Sequence, residues 1–340
     1  MKDTLIDANF PRTADLRVYH LGLCPGEIAN RIITVGSHSR ARALQTLLDT
    51  KPTPFVLSSE RGFVTVTGRY RGIPVSIVSI GMGAPNMDFF VREARECIFG
   101  DMIVIRFGSC GTFIDLSVGA IVVPKASVAI TRNVDYDFAN AEGPGKQPYI
   151  ISKPVAADPL LHAKVLEALV ASRTASCQGD VVAGVVNASA DSFYSSQGRQ
   201  TSFPDNNAGL IDHLKDTIPD VATLEMETFH LFHLAACWTG KHGSAGRTPP
   251  SLTETVVNHI DPEDGKVKYK PLKENTASAD SVIRAASAQM VFAARNSLDF
   301  ITPEQVRQAE QWGGVGVLSA LTSFEIPRER LHPDQGSVWE

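Results

Sequence analysis

Apolar positions along this chain follow two rhythms. Short continuous or alternating runs predict strands: Ile32 to Val35, Phe63 to Tyr70, Ile73 to Ile80, Met102 to Phe107, Ala120 to Val123, Val181 to Val186, Ala222 to Glu225 and Met290 to Ala294. Between them ARALQTLLD, MDFFVREARECIF, PLLHAKVLEALVA, LIDHLKD and METFHLFHLAACW place apolar residues at helical spacing. PEQVRQAEQWGGVGVLSALTSF predicts a long closing helix, broken near Gly313-Gly314. Strands alternating with helices predict the α/β class, as a single domain with a mixed, largely parallel central sheet flanked by helices. In such a sheet a ligand lies at the carboxyl ends of strands, and glycine or polar clusters follow Val35, Ile80 and Phe107 at such ends.

The same pattern divides the chain. Residues 1–17 are polar and are expected to be loosely ordered, residues 18–330 form the domain, and 331–340 are a tail. Residues 239–280, rich in Gly, Pro, Thr and charge, separate a helix from a strand that a compact α/β unit joins with about 2–6 residues. They read as an insertion: a surface excursion, an oligomer contact or a disordered loop.

Composition narrows the function classes. With 43% hydrophobic and 20% charged residues in 340, the chain has material for a sizeable core. A net charge of -5 is opposite to that of a protein gripping nucleic acid through its phosphates. No apolar run approaches a membrane span, and the N-terminus lacks the apolar stretch of a secretory signal. The five cysteines are odd in number, scattered and without metal spacing, which points to a reducing, cytoplasmic setting.

Candidate chemistry gathers at the strand ends. VGSHSR places Arg40 four residues after Gly36, SSERGF places Arg61 before an alternating strand, and IRFGSCG places Arg106 just before Gly108, Ser109 and Gly111. A guanidinium beside glycine amides and a serine hydroxyl suits a phosphate dianion. Taken singly, each arginine reads as a surface residue beside a turn, and the strand-end placement of two of them favours the phosphate reading. GMGAPN follows a strand and precedes a helix, but Asn86 stands where the dinucleotide fingerprint needs its third glycine. The alternative is that these glycines let the backbone pass close to a ligand or another subunit. SFYSSQGR offers Phe193 for stacking, with Gln197 and Arg199 as donors and acceptor matching a pyrimidine edge, or else is a polar loop. LEMETFH sets Glu225, Met226 and Glu227 where strand turns to helix: a carboxylate for vicinal ribose hydroxyls, or favourable charge at a helix start. His230 and His233 lack a third metal ligand, no GxSxG elbow occurs, and Asp261, Glu263 and Asp264 in HIDPEDGK do not match an EF-hand.

In order, VYHLGL, VGSHSR, SSERGF, SIGMGAPN, IRFGSCG, SADSFYSSQGR, LEMET and MVFAARNS resemble the nucleoside phosphorylase-I family, and most closely its uridine phosphorylase branch. They span about residues 18–320, leaving out the insertion. The resemblance implies reversible phosphorolysis of uridine to uracil and ribose 1-phosphate, with inorganic phosphate as co-substrate and no other cofactor. It implies that Gly36, Arg40, Arg106 and Ser109 bind phosphate, with Arg61 reaching in from a neighbouring subunit. His20 would cross the same interface to the ribose 5′-hydroxyl, and Met226 and Glu227 would hold the ribose. Phe193, Gln197, Arg199 and Arg295 would form the uracil pocket. Arg106, Arg199, Arg295 and Glu227 would carry catalysis, by orientation and electrostatics. Active sites shared between subunits imply a homodimer or a larger assembly of dimers.

This sequence departs from the family pattern in places. Ala294-Arg295 stands where bacterial members often have Asn-Arg, Ser109 where threonine is common, and Cys110 replaces a hydroxyl residue. Some members hold a monovalent cation at the dimer interface through a glutamate. Gly62 takes that position here, so a structural cation at a subunit interface needs another site. Two rival readings stand beside uridine phosphorylase. One is a purine nucleoside phosphorylase, whose aspartate near the final strand would fall at Arg295-Asn296; the other is a noncatalytic nucleoside-binding protein on the same fold.

Overall fold

Strand Met102–Thr112 organises the sheet: every one of its residues except Ser109 is buried. In this computed structural model the described residues are 5–13, 15–140, 146–175, 177, 179–238, 255–260, 267–272 and 281–340. Along one edge the whole strand pairs in parallel with Ile283–Ala294. Its other edge is divided. Arg31–Val35 runs parallel to it beside Ile103 to Arg106, and Val221–Glu225 meets it antiparallel at Gly111 and Thr112. The sheet continues from Arg31–Val35 to Ile73–Ser79, Val64–Tyr70 and Phe55–Ser58, and from Val221–Glu225 to Val186–Ala190, Ala126–Arg132 and Tyr149–Ile151. The central pairings are mostly parallel and the outer ones antiparallel, the mixed α/β sheet that the alternation predicts. Between the two partners of the divided edge the strand is open from Phe107 to Cys110, a switch point where such sheets place ligands.

Helices cover both faces. Helices α1 (His38–Gln45), α2 (Ala84–Cys97), α3 (Pro159–Ser172), α4 (Leu210–Thr217), α5 (Thr228–Cys237) and α6 (Pro303–Ser323) follow in chain order. Alternate strand residues face opposite ways. Ile33, Ile105 and Phe107 pack with Leu44, Leu169 and Leu318 of α1, α3 and α6. Ile32, Met102 and Val104 pack with Met87, Phe90, Leu231 and Phe232 of α2 and α5.

Several expectations change. Helix α6 runs unbroken through Gly313-Gly314. A Cβ on Gly313 would lie 2.5 Å from the Phe107 ring and one on Gly314 2.4 Å from Leu44, so these glycines bring the helix close to the sheet instead of breaking it. The strand after Gly179 is two strands, Val181–Ala183 and Val186–Ala190, separated at Gly184 with φ +78°. The strand carrying Arg295 begins at Ile283, earlier than expected, because IRAASAQM is small and polar yet fully paired. The described residues of 1–17 are tied to the fold: Leu5–Ile6 pairs with Arg12–Thr13, and Arg12 bonds Glu96 at 3.1 Å. The tail is docked through Trp339, which is 1% exposed. Most of segment 239–280 lies outside the described residues, as do Asp261, Glu263 and Asp264; its described parts, Thr255–Ile260 and Val267–Leu272, pair antiparallel. Among the described residues no helix is long and apolar enough to cross a membrane.

Candidate active site

A cavity of about 290 Å³ opens at the divided edge. At one end, strand Arg31–Val35 delivers Gly36, and Ser37 caps α1 by accepting the Arg40 amide at 3.3 Å. That cap turns Arg40 inward, where it is 5% exposed. Arg40 donates through Nε to Glu310 of α6 at 2.8 Å and through Nη1 to the Phe107 carbonyl on the open edge at 3.4 Å. Burial draws its proton affinity down, and Glu310 opposes that.

Arg106 is 3% exposed at the centre of this end. Its Nη2 donates to Glu227 Oε2 at 2.7 Å, while Nε and Nη1 have no hydrogen-bond partner among the described residues. Glycines leave room around it: Cβ atoms at Gly36 and Gly108 would sit 3.5 and 3.4 Å from its nitrogens. Ser109 lines the same wall. A buried cation with two unused donors beside a second buried guanidinium is a ready receptor for a tetrahedral dianion.

Glu227 and Met226 line the middle of the cavity. Glu227 accepts the Gly83 amide at 2.6 Å through Oε1 and Arg106 through Oε2. GMGAPN therefore brings a backbone amide to a cavity carboxylate. Gly81 and Gly83, at φ +74° and +96°, supply the turn. Behind this lies Glu225, named with the motif in the sequence but given no role. Its carboxylate accepts the Glu227 amide at 2.9 Å, the Thr228 amide at 3.0 Å, Asn187 Nδ2 at 2.8 Å and the Ser189 hydroxyl. It thus fixes the strand-to-helix turn that aims Glu227. Burial first, and the neighbouring Glu227 charge second, raise its proton affinity.

The far end is built by the turn Ser195–Gln197, closed by Gly198 at φ +68° and tied down by Asn207, which donates to the carbonyls of Ser195 and Arg199. Gln197 is 2% exposed and held between two arginines. Arg199 donates to its side-chain Oε1 at 2.5 Å, and Arg295 donates to its carbonyl at 2.5 Å. Arg199 lies 3.9 Å from the Phe193 ring centroid, and Phe193 lines the cavity. Arg295 is not in the cavity wall itself but supports Gln197 from behind, and its Nη2 is buried without a partner among the described residues. Burial, and then the nearby Arg199 charge, pull its pKa down to about 10.

Nine expected residues, Gly36, Arg40, Arg106, Ser109, Phe193, Gln197, Arg199, Met226 and Glu227, line this one cavity. His20 and Arg61 do not. They sit together elsewhere on the chain: the Arg61 guanidinium carbon lies 4.6 Å from the Tyr19 ring centroid, and Tyr19 meets the His20 ring edge-on at 4.8 Å. His20 stacks on Phe89 at 3.8 Å, and its Nδ1 lies 2.6 Å from Glu93. Sequence reasoning missed Met82, Phe292 and Phe300 in the wall. Met82 and Phe300 are 73% and 70% exposed, a signal visible only once the cavity is placed. Among the described residues no group of three or more His, Cys, Asp or Glu could hold a metal ion.

Residues 30–239 match the profile of the Phosphorylase superfamily. The chain is 28% identical over 274 residues to the uridine phosphorylase of Thermococcus kodakarensis, spanning 79% of this chain and 88% of that one. It is 28% identical over 226 residues to a DeoD-type purine nucleoside phosphorylase of Roseobacter denitrificans, spanning 64% and 80%. Among solved structures it is similar to a uridine phosphorylase of the oomycete Phytophthora capsici, at 35% identity and TM-score 0.77 over 95% of this chain and all of that one. A Trypanosoma brucei nucleoside phosphorylase shares the fold, with TM-score 0.66 at 19% identity.

Proposed function

The chain belongs to the phosphorylase superfamily and is a nucleoside phosphorylase, and on that footing we propose that its nucleoside is uridine, cleaved by inorganic phosphate to uracil and ribose 1-phosphate. One observation carries the choice of base. The far end presents Gln197 clamped by Arg199 and Arg295, while both acids of the cavity wall are already engaged, Glu227 by Gly83 and Arg106 and Glu225 by the turn behind it. Among the described residues no wall carboxylate is left to protonate a purine ring nitrogen. The Gln197 amide and the Arg199 guanidinium, with Arg295 behind Gln197, match the alternating carbonyl, N–H and carbonyl edge of uracil and the negative charge it acquires on leaving.

In this reading phosphate sits on the free nitrogens of Arg106, with Arg40, Ser109 and the amides near Gly36 around it. Glu227 accepts hydrogen bonds from the ribose hydroxyls, and Met226 packs against the sugar. Phe193 covers the uracil ring. As the bond from C1′ to N1 stretches, positive charge grows on the sugar and negative charge on the base. Phosphate below C1′ stabilises the first and then bonds to C1′ with inversion. Arg199 and Gln197 stabilise the second, with Arg295 holding Gln197 in place. The electrons of the broken bond stay on the uracil anion, which takes a proton on release. Arg61 and His20 would complete the site of a neighbouring subunit, in a homodimer or an assembly of dimers.

The test is loss of uridine followed by absorbance with and without phosphate. Consumption only with phosphate supports the reading, and binding of uridine without turnover contradicts it.

A further inference from the structure

A second cavity, of about 330 Å³, lies between α2, the C-terminal end of α5 and Ile283. Its size is that of a small-molecule pocket. It shares no lining residue with the catalytic cavity. Arg95 lines it and is 2% exposed. Its Nη2 donates to the Ile98 carbonyl, but Nε and Nη1 have no partner among the described residues. The guanidinium carbon lies 5.6 Å from the ring centroid of Trp238, another wall residue.

The other charged residues of the described wall have ion-pair partners of their own, though Glu96 also acts on Arg95. Arg92 pairs with Asp88 at 2.9 Å, and Glu96 pairs with Arg12 at 3.1 Å. The Glu96 and Asp101 charges act favourably on Arg95, but no described residue accepts a hydrogen bond from its Nε or Nη1, and two buried donors call for an acceptor. The rest of the described wall is Phe10, Val91, Leu234, Cys237 and Ile283, beside Trp238. Such a cavity complements a flat apolar body carrying one negative charge. It suits a phosphate dianion poorly, since Arg95 is the described wall cation with buried unused donors and Glu96 of the same wall repels a second negative charge.

We propose that this cavity binds a small aromatic monocarboxylate, its carboxylate on the free nitrogens of Arg95 and its ring against Trp238 and Phe10. Which nucleoside the catalytic cavity takes has no bearing on this site.

Calorimetric titration of the full chain with benzoate, in buffer saturated with inorganic phosphate, tests it. The expected result is one saturable site per chain that phosphate does not displace, weakened about tenfold or more in Arg95→Met. Absence of saturable binding, equal affinity in Arg95→Met, or displacement by phosphate or uridine overturns it. Should Arg95→Met not fold, the anomalous bromine signal in a wild-type crystal grown with 4-bromobenzoate decides. A peak beside Arg95 and Trp238 supports the site, and a peak elsewhere or none overturns it.

Discussion

Arg106 and Glu227 form a buried ion pair at 2.7 Å that leaves Nε and Nη1 of the arginine without a partner among the described residues. The pair links two parts of the cavity. Its carboxylate faces the middle, and its cation keeps donors free for an anion at the end. Arg106→Gln retains a polar side chain but removes the charge. It is predicted to lower turnover by about two to three orders of magnitude, as loss of a single charge-directed donor does elsewhere. Single-turnover kinetics at saturating phosphate would measure this, with circular dichroism confirming the fold.

Arg61 and His20 lie outside the cavity of their own chain, around Tyr19. If they serve a neighbour, Arg61→Ala and Arg106→Gln should complement each other. In a two-fold dimer each heterodimer holds one site with both arginines intact. Co-refolding equal amounts of the two inactive variants is predicted to restore about a quarter of wild-type activity, from half the dimers with one good site each. No recovery on mixing would mean that Arg61 does not serve a neighbouring subunit's site.

Gly313 sits where α6 meets strand Met102–Thr112, and an added Cβ would lie 2.5 Å from Phe107 and 2.9 Å from Ile121. Helix propensity favours alanine, but overpacking a closed core costs about 1–3 kcal/mol. Gly313→Ala is therefore predicted to unfold at lower urea. Because the Phe107 carbonyl accepts Arg40, the same variant should also weaken phosphate saturation.

The raised thiols contribute a loss of stability at alkaline pH. Burial, with Glu27 next, pushes Cys24 up to about 11 from 9.0, and burial holds Cys97 and Cys110 well above 9.0. Below 9 both folded and unfolded thiols keep their protons, so the shifts have no effect. As pH rises past 9 the unfolded thiols ionise while the folded ones do not, and stability falls. For Cys24 the fall ends near 11. Urea unfolding at pH 8 and pH 10.5 should show this loss, and Cys97→Ala should reduce it.

Much of this was legible in the sequence where a residue's role is local. Arg106 at a strand end, the Gln197–Arg199 turn and Glu227 at the strand-to-helix junction all follow from short stretches of chain, and all line one cavity. What escaped depends on distant neighbours. Gly313 reads as a helix breaker until Phe107 is known to lie against it. Ile283 to Gln289 reads as irregular until Met102–Thr112 pairs with it. Glu225 gains its role only from Asn187 and Ser189, far off in sequence, and Arg95 looks like an ordinary helix-surface arginine until its burial is seen.

The choice of base is decided by comparing kcat/KM for uridine and inosine on the same preparation, each with and without phosphate. Phosphate-dependent cleavage of uridine is predicted to exceed that of inosine by at least about two orders of magnitude, since a site built to hydrogen-bond one base rejects another that leaves its buried groups unpaired. Equal or greater turnover of inosine would refute a uracil-binding site and move the chain to purine chemistry.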